Sequence, residues 1–191
     1  MYTTLFPTLT QNFRGKVHPV ILDIGLILTG AALTAGLAQV RIPLPFSPVP
    51  VTGQTFAVLL VGAGLGAKRA TASMALYLSL GILEWPIFAS GGSGITYLTG
   101  ATGGYLIGFV AAAYLIGWLS ERGLERNFRT ALIPFIVGNA VIYLFGILWL
   151  PNYVGSIQEA VNLGMMPFLI GDVIKLVLAG ITLPTVWKFI R

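Results

Sequence analysis

Apolar segments recur along this chain to its last residues, and only short junctions separate them. Six can be drawn: about Val20–Val40, Thr52–Ala67, Ala70–Leu83, Thr102–Leu119, Thr130–Leu150 and Met165–Ile190. In hydrocarbon every backbone N–H and C=O must be satisfied inside the segment, so such runs are read as helices, and about 20 residues make a crossing. A soluble domain covers its surface with about 25% charged residues; here the figure is 9%, against 56% hydrophobic. The expectation is an all-α integral membrane protein, multi-pass, in the cell membrane, with lipid as its solvent. No long polar linker divides the 191 residues, so 1–191 read as one transmembrane bundle that includes a polar N-terminal segment, 1–19. That segment has no compact apolar core followed by a small-residue cleavage site, and a cleaved signal peptide is not expected.

The second and third segments are short for a crossing, and a re-entrant pair is the competing arrangement. Charge placement favours two real crossings. Arg14 and Lys16, Lys68 and Arg69, then Arg122, Arg126 and Arg129, and finally Lys188 and Arg191 occupy alternate junctions. The junctions between them hold only Arg41, with Glu84 and Glu159 as their acids. Six crossings put these nine basic residues on one side, and positive-inside bias then places both termini in the cytoplasm. The net charge of +5 is therefore a topological signal, and no nucleic-acid surface is expected. The chain has no cysteine, and its single histidine, His18, has no partner near it in sequence. Asp23 is the one further acid inside a segment, near the end of the first. Neither a serine–histidine nor a paired-aspartate arrangement exists within the bilayer, so no enzyme, catalytic residue, metal site or cofactor is expected.

The two long junctions on the other side are distinctive. Residues 41–53, "RIPLPFSPVPVTG", hold four prolines, which deny helix and favour an extended path. Residues 84–104 are rich in glycine and threonine, with Trp85, Phe88, Tyr97 and Tyr105 in or beside them. Long structured loops in a compact protein are usually functional, and two on one face suggest a lid over a binding site. The glycines do not form a phosphate loop, since no Gly-Lys-Ser/Thr ending follows them.

Polar residues inside apolar segments mark function. "FLIGDVIK" (168–175) carries Asp172 and Lys175 about one helical turn apart, hence on one face, with Gly171 leaving room beside them. Their alternative role is a structural ion pair. "GNAVIYLFG" (138–146) offers Asn139 and Tyr143 on a common face, and Gln54 stands at the mouth of the second segment. Together these outline a pocket with donors and acceptors on apolar walls, suited to a small, mostly apolar ligand bearing a few polar atoms and one negative charge. Ala31 and Ala35, like Gly62 and Gly66, have the small-xxx-small spacing that lets helices approach closely, within the bundle or with another membrane subunit.

"PFSPVPVTGQTFAVLLVGAGLG", "GATGGYLIGF", "GNAVIYLFG" and "FLIGDVIK" occur in this order, and they resemble signature stretches of the BioY family, the biotin-binding S components of energy-coupling factor (ECF) vitamin transporters. The resemblance runs from about Ile21 to the C-terminus. It implies a bundle of six transmembrane helices with cytoplasmic termini, and high-affinity capture of biotin near the outer face. It also implies release inward, energised by a partner T subunit and two ATPases; an S component for another small vitamin is the alternative. By the same resemblance Asp172 and Lys175 contact the ligand, the glycine-rich loop falls on Gly91, Gly92, Thr102, Gly103, Gly104 and Tyr105, and the alanine motif presented to the T subunit falls on Ala31 and Ala35. Tyr97 is a candidate ring to cover the biotin bicycle. The chain departs from the family in having Ala101 before the TGGY turn, where proline is common.

Overall fold

The computed structural model describes residues 4–9 and 17–190. Arg14, Lys16 and Arg191 of the charge pattern lie outside the described residues.

Long helices lie over all six apolar segments. They are α2 (Pro19–Ala38), α3 (Gln54–Leu65), α4 (Ala67–Ile82), α6 (Gly103–Ser120), α7 (Phe128–Trp149) and α10 (Leu169–Ile190), with short helices α1 (Leu5–Leu9), α5 (Gly94–Leu98), α8 (Pro151–Val154) and α9 (Ile157–Gly164) at the ends and junctions. Four stretches among the described residues are long and apolar enough to cross a membrane: α2, α6, α7 and Ile157–Lys188, which takes in all but the last two residues of α10. With 12 and 16 residues, α3 and α4 extend only about 18 and 24 Å at 1.5 Å per residue.

Between α3 and α4 the chain turns on one residue. Gly66 sits at φ 82° with the Glu121 carboxylate beside it, a backbone conformation that a side chain would strain. Glu121 Oε1 accepts from the Ala67 N–H at 2.9 Å, which satisfies one of the orphan donors that open α4. Lys68 and Arg69 therefore belong to the first turn of α4 rather than to a loop, and Arg69 pairs with Asp23 of α2 at 2.8 Å. His18 caps α2, its ring accepting from Val20 N–H at 3.4 Å.

Glycines make the bundle tight. A Cβ on Gly62 would come within 2.8 Å of Ile116, and one on Gly117 within 2.3 Å of Ala67 N, so α3, α4 and α6 touch nearly backbone to backbone. At this end the N-terminal segment is not simply polar: Leu5 is buried, and the ring of Phe6 covers Gly64. The opposite end is made of loops. The proline-rich 41–53 segment closes a two-residue antiparallel ladder, Arg41–Ile42 (β1) with Val51–Thr52 (β2). Residues 89–91 form a 3-10 turn.

Candidate functional site

At the loop end an open-mouthed cavity, with about 600 Å³ of empty space counting the part open to solvent, is lined by four long helices and the loops above them. The helical walls are Gln54 and Thr55 of α3, Tyr105 and Phe109 of α6, Asn139 and Tyr143 of α7, and Asp172 and Lys175 of α10. Val49, Pro50 and Thr52 come from the proline-rich loop, Ala89, Tyr97 and Thr102 from the glycine-rich one, and Gly164 and Phe168 close the side. None of the lining residues lies on α2 or α4.

Asp172 is 5% exposed and fully engaged. The Tyr143 hydroxyl donates to Oδ2. Lys175 Nζ stands 3.2 Å from Oδ1 and donates also to Thr55 Oγ1 at 2.8 Å. The pair from one turn of α10 thus reaches across to α7 and α3. Ionised groups this deep are tolerated only when paired and hydrogen-bonded, and here they are. An ammonium has three donors; two are used, which leaves one N–H for a ligand. Gly171 has nothing within 4 Å of where a Cβ would stand, but it is not among the cavity-lining residues, so the room beside it is not part of the cavity.

Asn139 differs. It is 8% exposed and lines the cavity, yet among the described residues nothing hydrogen-bonds its amide. Gln54 is already committed: its Nε2 donates to Tyr77 Oη at 2.6 Å and its Oε1 accepts from Thr52 Oγ1 at 3.0 Å. Tyr105 is held by donation to Gly164 O at 2.9 Å, with its ring over Gly146. Tyr97 stacks on Phe88, ring centroids 5.0 Å apart, and burial pushes its phenol pKa up.

Sequence reasoning and structure part company at several residues. Gly91, Gly92, Gly103 and Gly104 are not among the lining residues. Gly91 supplies a positive φ of 67° to its turn, while Gly92 admits the Tyr97 ring and Gly104 the Trp149 side chain, each where a Cβ would come within 2.3 Å. Gly103 lies against the Leu98 carbonyl, where a Cβ would come within 1.8 Å. Ala31 is buried in the core at 4% exposure, and Ala35 is only half-buried and packs against it. The small residues that α2 turns outward are instead Gly25, Thr29, Ala32 and Gly36, one continuous stripe with nothing within 4 Å of the two glycines. The Thr29 hydroxyl on that stripe bonds back to Gly25 O at 2.8 Å, which makes the face effectively apolar. Thr55, Phe109 and Phe168 were missed. Thr55 had a legible signal, as a second polar residue beside Gln54 at the head of an apolar helix; the phenylalanines had none, since any apolar segment supplies them.

The sequence model of the BioY family matches residues 10–191. The chain belongs to the BioY family. Its members are transporter S components, not enzymes, and the chain is accordingly a membrane protein. It is 40% identical over 140 residues to the biotin transporter BioY of Thermotoga maritima, covering 73% of this chain and 82% of that one. It is 38% identical over 153 residues to a probable biotin transporter BioY of Pyrococcus horikoshii, covering 80% and 88%. The fold is similar to the crystal structure of the S-component for biotin from an ECF-type ABC transporter, with a TM-score of 0.78, 26% identity, and coverage of 88% and 92%. The BioY match extends over all four lining helices, so cavity and family concern the same part of the chain.

Proposed function

We propose that this chain binds biotin in the cavity between α3, α6, α7 and α10. It would carry the vitamin across the cell membrane as the substrate-specific subunit of an ECF transporter. The observation that supports this reading best is the Asp172–Lys175–Tyr143–Asn139 constellation in a cavity of suitable size, in a family whose relatives are named biotin transporters.

The chemistry matches group by group. Biotin brings two ureido N–H donors, a ureido carbonyl, an apolar bicycle and a carboxylate tail. Asp172 still has lone pairs to accept a ureido N–H after its bonds to Tyr143 and Lys175. The free Asn139 amide donates to the ureido carbonyl. Lys175 pairs with Asp172 and directs its remaining N–H to the tail carboxylate, a charge-assisted bond. Tyr97, Tyr105 and Phe109 cover the bicycle, with Thr102 and Gln54 at the margin; Gly91, Gly92, Gly103 and Gly104 act by letting the rings and α7 close in.

The chain would cross six times with both termini in the cytoplasm, α3 and α4 both being crossings within a locally shortened bundle. It would rely on a T subunit and two ATPases for energy. The T subunit meets the exposed Gly25–Thr29–Ala32–Gly36 stripe, where backbones can approach closely, rather than Ala31 and Ala35.

Equilibrium binding of labelled biotin to the purified protein tests the reading. Wild type is expected to bind, and Asp172→Asn to bind about tenfold more weakly or worse, since a hydrogen bond to a charged group is worth about 1.5–3 kcal/mol. Displacement by riboflavin or thiamine but not by biotin would overturn it. Biotin methyl ester should bind wild type poorly and Lys175→Ala no worse than biotin does; equal losses in both proteins would remove Lys175 from the tail. Because the native chain lacks cysteine, single cysteines at Trp85 and Arg122 report sidedness to a membrane-impermeant thiol reagent, and labelling of both from one side would break the six-crossing topology.

A further inference from the structure

Gln39 follows the last turn of α2 and lines no cavity, yet it makes more long-range polar contacts than any residue of the site. Its Nε2 donates to the carbonyls of Phe88 at 3.1 Å and Ile87 at 3.4 Å, and its Oε1 accepts from the Gly91 N–H at 3.1 Å. The same Nε2 lies 3.2 Å from Ala35 O on its own helix, which holds the side chain in place. One amide thus grips both ends of the 87–91 turn.

That turn needs gripping. Ser90 sits at φ 67°, followed by Gly91 at the same angle, and a non-glycine residue in the left-handed region costs about 1 kcal/mol or more unless its surroundings impose it. What the turn carries is the cavity wall. Ala89 lines the cavity directly, and the buried ring of Phe88 backs Tyr97, which also lines it. Tyr77 fixes the other side of Phe88 edge-on at 5.4 Å and donates to Ile87 O at 3.2 Å. Tyr77 belongs to α4 and Gln39 terminates α2, the two long helices that contribute no lining.

We propose that Gln39 is a positioning residue: a latch that ties the 87–91 turn to α2 and through it holds Ala89 and Tyr97 closed over the bound ligand. Its anchor is the candidate span with the smallest share of its apolar window buried inside the protein. Only 17% of the apolar window of α2 is buried, against 61% for α6. A shift of α2 is therefore transmitted to the cavity mouth through this one side chain. The ligand part of the inference rests on the reading of the cavity as a biotin site; the latch itself does not.

Hydrogen exchange of the purified full chain, without ligand, separates the two. In Gln39→Leu, peptides spanning 86–98 are expected to exchange about tenfold faster, while those from 54–65 and 103–120 stay at the wild-type rate, because only the local opening is made easier. Gln39→Glu keeps the acceptor for Gly91 N–H but faces two carbonyls without a donor, so Gly91 should keep its protection while the wall behind Phe88 loosens. The thermal midpoint should stay within about 2 °C of wild type in both variants, as befits an exposed side chain. With labelled biotin, dissociation should quicken about fivefold at nearly constant association, the usual way a lid acts on affinity. Exchange in 86–98 within twofold of wild type, or faster exchange spread equally over all three segments, would overturn the latch. If wild type binds no biotin, the exchange arm still decides the latch, and only the reading of the ligand falls.

Discussion

Asp172 and Glu125 are both buried acids, at opposite ends of the same bundle. At the cavity end Asp172 receives Tyr143 and Lys175, and the surrounding volume is open. At the other end Glu125 lies in the 3-10 turn Leu124–Arg126 between α6 and α7, with no exposure and no hydrogen bond to either carboxylate oxygen among the described residues. Arg126 Nε is 4.0 Å away, too far to donate well, and its guanidinium rests over the Trp187 ring. Burial pushes the Glu125 carboxyl up to about 7. One end answers its acid with an ammonium and a phenol, and the other raises the pKa of its acid by shutting it away from water. A ligand site needs the first arrangement, since a fixed charge can recognise donors; a packed closure tolerates the second.

Removing the answer from Asp172 should have the largest effect. Lys175→Met leaves an uncompensated buried carboxylate and is expected to lower unfolding free energy by about 3–5 kcal/mol and to weaken biotin binding about tenfold or more, measured by denaturant titration in detergent and by equilibrium binding. Adding Asp172→Asn to the same chain should restore most of the stability and none of the binding. Unchanged stability in the single variant would break the contrast, because the two acids would then be equally unsupported.

Glu125 comes next. The folded chain holds its proton up to about pH 7, whereas an ordinary glutamate releases it near 4.5. Between those values the folded state binds more protons than the unfolded one, so stability declines as pH rises through the window and levels off beyond it. Glu125→Gln should remove that slope and, above pH 7, exceed wild type by on the order of 2–3 kcal/mol. A wild-type midpoint that climbs between pH 5 and 7 through Glu125 would reverse the sign and end the assignment.

Asn139→Leu sharpens the comparison from the cavity side. Its amide has no hydrogen-bond partner among the described residues, so stability should hold while biotin affinity falls ten- to thirtyfold, about 1.4–2 kcal/mol. A loss of stability without loss of affinity would make Asn139 structural. Smallest of all, Gly171→Ala should stabilise α10 by roughly 0.5–1 kcal/mol, with affinity within about a factor of two, since nothing stands where the new methyl goes.

The sequence announced its helices well and their facing poorly. The six apolar segments coincide with α2, α3, α4, α6, α7 and α10 to within a few residues, because the need to close every backbone hydrogen bond in lipid leaves helix as the only solution for such runs. Asp172, Lys175, Asn139 and Tyr143 were legible because polar atoms in apolar runs are costly and so conspicuous. The facing of Ala31 and Ala35 was illegible for the complementary reason: on a helix apolar all round, core and lipid faces have the same composition, and hydropathy carries no phase. Glu125 drew no notice at all, sitting among arginines in a junction that composition marks as wet.

From residue order alone follow the membrane as solvent, the approximate extent of the long helices, the family, and the presence of one opposed charge pair on α10. Tertiary structure alone decided who answers that pair, that Asn139 is left free, that Gln39 reaches the 87–91 turn, and which stripe of α2 faces outward. The division has a physical cause. Burying backbone in hydrocarbon is a local demand, met within each segment, whereas hydrogen bonds between side chains some 30 to 120 residues apart exist only once the helices have chosen their neighbours.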